Sequence, residues 1–172
     1  MSKIETNTIA PSTGTTLTLG ESGDTVNVGG TAGTGFGKVL QVVNSTGTAG
    51  FDTNSTSYVQ VTGTGHGVSI TPSSTSSKIF ISIMVEARSS TSAQSSINTI
   101  LRNSTDLSGG TRFAAAYGNT IDAPINMTFL DSPNTTSEVT YRIGTKSSNG
   151  SHNSRINSGN RLFSYIAMEI GA

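Results

Sequence analysis

From position 38 onward the chain alternates apolar and polar side chains with a period of two. Lys78 to Ala87 carries Ile79, Ile81, Ile83 and Val85 on one parity, the pattern of a strand with one face in a core. Val139, Tyr141 and Ile143 alternate with Thr140 and Arg142, and Ile125, Met127 and Phe129 share a face. Ile97, Thr99 and Leu101 alternate with Asn98, Ile100 and Arg102, and the last run places Leu162, Ser164, Ile166, Met168 and Ile170 together. Val39 to Val43, Ser57 to Val61 and Gly67 to Thr71 add shorter runs. Clusters of Ser, Asn, Gly and Pro separate these segments, so the pattern predicts about eight or nine strands in an antiparallel all-β sandwich. No segment sustains a helical period; Ala93 to Leu101 has some helical character, and Phe113 to Tyr117 is too short to count.

The alternation has a second message. Phe80, Met84, Ile100, Phe163 and Tyr165 fall on the parity opposite the expected core set. A sheet apolar on both faces is covered on both faces, so these five residues are expected to form a subunit interface.

Residues 1–37 follow a different pattern. Thr16-Leu17-Thr18-Leu19-Gly20 and Thr25-Val26-Asn27-Val28-Gly29 are two alternating pieces of one form, each ending in Gly, and read as very short strands. The apolar side chains Ile4, Ile9, Leu17, Leu19, Val26 and Val28 are too few to offset the entropy of ordering so long a segment alone. The expectation is an extended β arm, 1–37, that orders against other chains, joined through Gly33-Thr34-Gly35-Phe36-Gly37 to a body at 38–172.

Composition narrows the function. The chain has 172 residues, of which 27 are Ser, 27 Thr, 20 Gly and 13 Asn, about half in all. Ten basic residues balance ten acidic ones, so no basic excess exists to neutralise phosphates, and nucleic acid is not an expected partner. Nothing approaches the roughly 18 apolar residues of a membrane span, and Met1 to Thr6 lacks the apolar core of a signal peptide; neither membrane insertion nor secretion by that route is expected. With no Cys there are no disulfides or thiolate metal sites. Ser and Thr read as a neutral, wet, strand-compatible surface, little affected by salt.

Candidate chemistry is sparse. Gly29 to Gly37 lacks the Gly-Lys-Ser/Thr ending of a phosphate loop, and no Gly-x-Ser-x-Gly elbow accompanies the many serines. No calcium-loop spacing surrounds Asp122 or Asp131. No catalytic residue, metal or cofactor is therefore expected. All six arginines lie in the second half, where planar guanidinium groups suit carboxylate pairs and anionic glycans. Arg102 and Arg142 fall in expected strands, which favours an interface role. Arg112 and the polar stretch Ser147 to Asn160, with His152 and Arg155 near its centre, read as a recognition loop on a rigid scaffold.

Several phrases resemble small structural virion proteins of marine tailed bacteriophages. They are Val68-Ser69-Ile70-Thr71-Pro72-Ser73-Ser74-Thr75-Ser76-Ser77-Lys78-Ile79, the body's start Lys38 to Val43, Leu130 to Ser137 with Val139-Thr140-Tyr141, and the closing Ile166 to Ala172. Ile4 to Ile9, with Thr15 to Gly20, resembles their attachment arms. The likeness is thin between Arg88 and Gly118. It implies a homotrimer with a jelly-roll-like head, assembled in the host cytoplasm into the virion. Its partners would be its own copies, other capsid or tail proteins, and a host surface glycan. The expected function is a non-enzymatic tail-fibre-like or head-fibre-like surface protein for host attachment. Alternatives are a capsid decoration or cement protein, a polysaccharide-cleaving tailspike, and a non-viral lectin-like module.

Overall fold

The computed structural model describes residues 38–118 and 122–171. The expected arm, with Ile4, Ile9, Leu17, Leu19, Val26 and Val28, lies outside the described residues. Within them the chain is all β, with no helix, and every strand pair is antiparallel.

Twelve strands follow in order: β1 (Lys38–Gly47), β2 (Phe51–Thr53), β3 (Val59–Gln60), β4 (Val68–Ile70), β5 (Lys78–Ser89), β6 (Ser95–Arg102), β7 (Thr105–Asp106), β8 (Ala114–Tyr117), β9 (Ala123–Asp131), β10 (Val139–Ser147), β11 (Ser154–Ile156) and β12 (Phe163–Gly171). They form two six-stranded sheets. In the first, β5 is long enough to pair with β12 and then β11 along one edge and with β9 along the other. Beyond these, β1 pairs with β12 and β2 with β11. In the second, β10 pairs with β6 on one side and with β4 and β3 on the other, while β7 and β8 pair with β6.

The apolar core lies between the sheets. Ile79, Ile81, Ile83 and Val85 of β5, with Ile125 and Met127 of β9, meet Val139, Tyr141 and Ile143 of β10 and Val68 and Ile70 of β4. Cross-strand partners share a face, so the inward set of β12 is dictated by its register on β5. Tyr165 stands opposite Ile83, Ala167 opposite Ile81 and Glu169 opposite Ile79.

That register corrects the expected subunit interface. Phe163 and Tyr165 are fully buried in this chain's own core, and so is Ile100 of β6. The local alternation of β6 and β12 is apolar on both parities, and pairing with β5 and β10 selects the parity opposite to the expected one. Phe80 and Met84 do lie on the outer face of the first sheet, half-buried and exposed respectively.

A second correction concerns Ser and Thr. One end of the interior is polar: Ser89, Ser96, Asn98, Thr145, Ser147 and Ser154 are all buried. Four of them, Ser96, Asn98, Thr145 and Ser154, satisfy one another across the gap between the sheets. The Ser154 hydroxyl of the first sheet bonds the hydroxyls of Ser96 and Thr145 of the second, and the Thr145 hydroxyl donates to Asn98 Oδ1 at 2.8 Å. Buried hydroxyls are tolerated because each finds a partner.

Candidate functional site

The acidic groups come first, because any hydrolytic chemistry would need them. Asp131 ends β9, and Glu169 sits in β12; both stand in register with Ile79. Asp131 accepts Arg102 Nη1 at 2.8 and 2.9 Å and the Tyr141 hydroxyl at 2.7 Å. This clamps the first sheet to β6 and β10 of the second. Burial, then the bond to Asp131, pushes the Tyr141 hydroxyl far above the phenol range. Glu169 accepts the Ser73 hydroxyl at 2.6 Å, the Ser73 amide at 2.7 Å and the Gln41 amide at 2.6 Å. Burial alone would raise its pKa, but these donors outweigh it and hold it at about 2. Asp106 accepts from Thr99, Ser108 and Gly110. Burial works to raise its pKa, and those donors bring it below the usual carboxylate value. Each of these carboxylates is engaged by internal donors.

Glu86 and Asp122 form a different group. Burial and the Asp122 carboxylate push the Glu86 carboxyl up, against the pull of Arg161. Arg161 Nε is 3.0 Å from Glu86, and Arg88 Nε is 3.3 Å from Asp122. Glu86, Asp122 and Arg161 border a cavity of about 150 Å³. Among the described residues no cluster of three or more His, Asp or Glu side chains could hold a metal ion.

The expected recognition loop is not a loop in full, and its three residues do not gather. Ser154 to Ile156 form β11, where Arg155 pairs with Asp52 at 3.1 Å. His152 is buried, within hydrogen-bond distance of the Asn149 side chain at 2.9 Å and the Ser95 carbonyl at 3.1 Å; it fastens its own turn. Only Arg112 is free to face a ligand. It borders a shallow hollow of about 280 Å³ with Ile97, Thr111 and Lys146. Lys146 lies on β10 and was not singled out by sequence; neighbouring positions that face outward on β10 and β6 are the signal that could have found it.

His66 is a core residue. It stacks on Phe163 with ring centres 4.1 Å apart, and its Nδ1 lies 3.1 Å from the Tyr165 hydroxyl. Nε2 meets the Ala49 carbonyl at 2.8 Å. A carbonyl can only accept, so Nε2 carries the proton and Nδ1 accepts from Tyr165. Burial lowers its pKa, the Ala49 bond raises it, and Arg142 lowers it further, with a net fall.

The outer face of the first sheet carries an apolar row. Val42 of β1, Met168 of β12, Phe80 of β5 and Leu130 of β9 stand side by side in register. They make one unbroken apolar row across four strands. Val39 opposite Ile170 extends it on one side, and Ile166 on the other. Val42 is 56% exposed, Val39 52% and Leu130 49%. The exposed Lys38 and Lys78 border this end of the sheet. An apolar centre with a polar rim is the anatomy of a protein interface. Among the described residues no helix is long and apolar enough to cross a membrane.

No protein-family model matches the chain, and no curated protein matches it.

Proposed function

We propose that the chain is a non-enzymatic structural subunit of a bacteriophage particle. It is a homotrimeric surface fibre or spike, anchored through residues 1–37, with a jelly-roll-like head formed by residues 38–172. The observation that carries the assembly reading is the apolar row Val42, Met168, Phe80 and Leu130 on an outer sheet face. Such a row left in water is a cost that contact with a second copy removes. The jelly-roll reading is supported by sheets whose neighbours are distant in sequence, such as β1, β12 and β5. The particle itself is supported by the phrases resembling marine phage virion proteins. The non-enzymatic reading is supported by the internal engagement of Asp106, Asp131 and Glu169.

Multi-angle light scattering of the purified full chain tests the assembly, with three monomer masses expected. A monomer at micromolar concentration would remove the homotrimer. Labelling of intact particles tests the location. A few copies at the tail fit a fibre, and a symmetric array of many copies on the capsid replaces it with a decoration protein.

A further inference from the structure

The outer face of the second sheet differs in character from that of the first. On β10, Arg142, Gly144 and Lys146 alternate with the inward Tyr141, Ile143 and Thr145, and Lys146 stands opposite Ile97 of β6. The segment after β7 is fastened beside this pair. Asp106 accepts Thr99 Oγ1 at 2.5 Å, the Ser108 amide at 2.9 Å and the Gly110 amide at 3.1 Å. The Thr111 hydroxyl donates to the Ser108 carbonyl at 2.8 Å, and the Tyr58 hydroxyl donates to the Thr111 carbonyl at 2.5 Å. Arg112 therefore leaves a turn held at several points. Lys146 is held too, with Nζ 4.4 Å from the centre of the Tyr58 ring.

Arg88, Arg102, Arg155 and Arg161 all have carboxylate partners. Among the described residues Arg112 and Lys146 have no such ion pair, and both border the 280 Å³ hollow over Ile97. Asp106, in the same fastened turn, is already occupied by the donors named above. Two cations without an ion pair among the described residues, beside the apolar Ile97, suit a ligand with an anionic group and an apolar face.

We propose that this hollow binds the anionic group of an acidic saccharide. The Arg112 fork pairs with the carboxylate or sulfate of the sugar, and Lys146 adds a point charge. The ring's C–H face lies on Ile97, and the Thr111 hydroxyl oxygen accepts from a sugar hydroxyl. The volume of about 280 Å³ lies just below the range of small-molecule sites, roughly 300–1,000 Å³, which fits a single ring rather than a long chain segment. Lys146 is held in advance over Tyr58 and Arg112 leaves a fastened turn, which lowers part of the entropy cost of binding. The inference rests on the particle-surface reading for where such a saccharide is met, and not for the binding itself.

The test is calorimetric titration of the full chain with five probes: a uronate oligosaccharide, a sulfated oligosaccharide, a neutral glucan oligosaccharide, inorganic sulfate and an acidic peptide. One or both acidic saccharides should bind with a Kd of about 1 mM or tighter, and which one does so separates carboxylate from sulfate recognition. The neutral glucan and free sulfate should bind at least about tenfold more weakly. Arg112→Ala and Lys146→Ala should each weaken binding about tenfold or more, and Arg155→Ala should leave it unchanged. The surface variants should keep the wild-type melting temperature and oligomeric mass. Equal binding of neutral glucan, equal binding of free sulfate, tighter binding of an acidic peptide, or wild-type affinity in a folded Arg112→Ala variant would each overturn the proposal. Absence of binding by every acidic saccharide would do the same, while a measured trimer would leave the assembly reading standing.

Discussion

The turn Gly63-Thr64-Gly65-His66-Gly67 shows what single residues decide in this molecule. Gly63, Gly65 and Gly67 all have positive φ, where L side chains are strained. At Gly65 a Cβ would also overlap the Thr46 carbonyl oxygen. Gly65→Ala should therefore destabilise the body by about 2–4 kcal/mol, read from denaturant midpoints. The turn delivers His66 to Phe163 and Tyr165 in neutral form, and this gives stability a pH dependence. The folded pKa of His66 lies below the unfolded value of 6.5, so the unfolded chain takes up the proton first as pH falls. Its contribution is whole above about pH 6.5 and is lost as pH falls through the folded value. Glu169 acts in a lower window: its folded pKa of about 2 lies below the ordinary 4.5. That contribution is whole above about pH 4.5 and is lost as pH falls toward 2. Melting temperatures across pH should show both declines. His66→Gln should flatten the upper one and Glu169→Gln the lower one, each from a lower plateau.

At the scale of the strand, parity is the deciding quantity. Phe163→Ala should cost about 3–5 kcal/mol because it empties a core site, while Phe80→Ala should cost the monomer about 1 kcal/mol or less. The opposite ranking would restore the expected outward Phe163. The clamp on Asp131 makes a related point about pairs of strands. Tyr141→Phe should lose about 1–3 kcal/mol, the value of a bond to a charged acceptor, seen in equilibrium unfolding. The long strands were legible in sequence because β5, β9 and β10 each set apolar against polar with period two. Of the short ones, β3 and β4 lay within alternating runs at Ser57 to Val61 and Gly67 to Thr71, while β2, β7, β8 and β11 had no such run around their two to four residues. In β6 and β12 the strand was legible and its inward face was not. Ile97 and Ile100, or Phe163 and Ile166, are equally apolar, and only the register on neighbouring strands separates them. Arg112 was legible as a candidate by its charge in a loop, but its companion Lys146 lies some thirty residues on, and only the sheet brings the two together.

For the whole molecule, two outer faces imply different responses to salt. Assembly through Val42, Met168, Phe80 and Leu130 buries apolar surface, so added salt should leave the oligomeric mass unchanged. Met168→Glu should shift the mass to that of a monomer in light scattering. Ligand binding between Arg112 and Lys146 should weaken as salt screens it. The hydroxyl-lined end of the interior has a further, thermal consequence. Unfolding it exposes Ser96, Asn98, Thr145 and Ser154 as well as isoleucines, and polar exposure lowers the heat capacity that apolar exposure raises. The heat-capacity increment should fall below the usual ~12–15 cal/mol/K per residue. Free energy against temperature would then trace a broad, shallow arc, so that cooling erodes this protein less than one filled with hydrocarbon throughout.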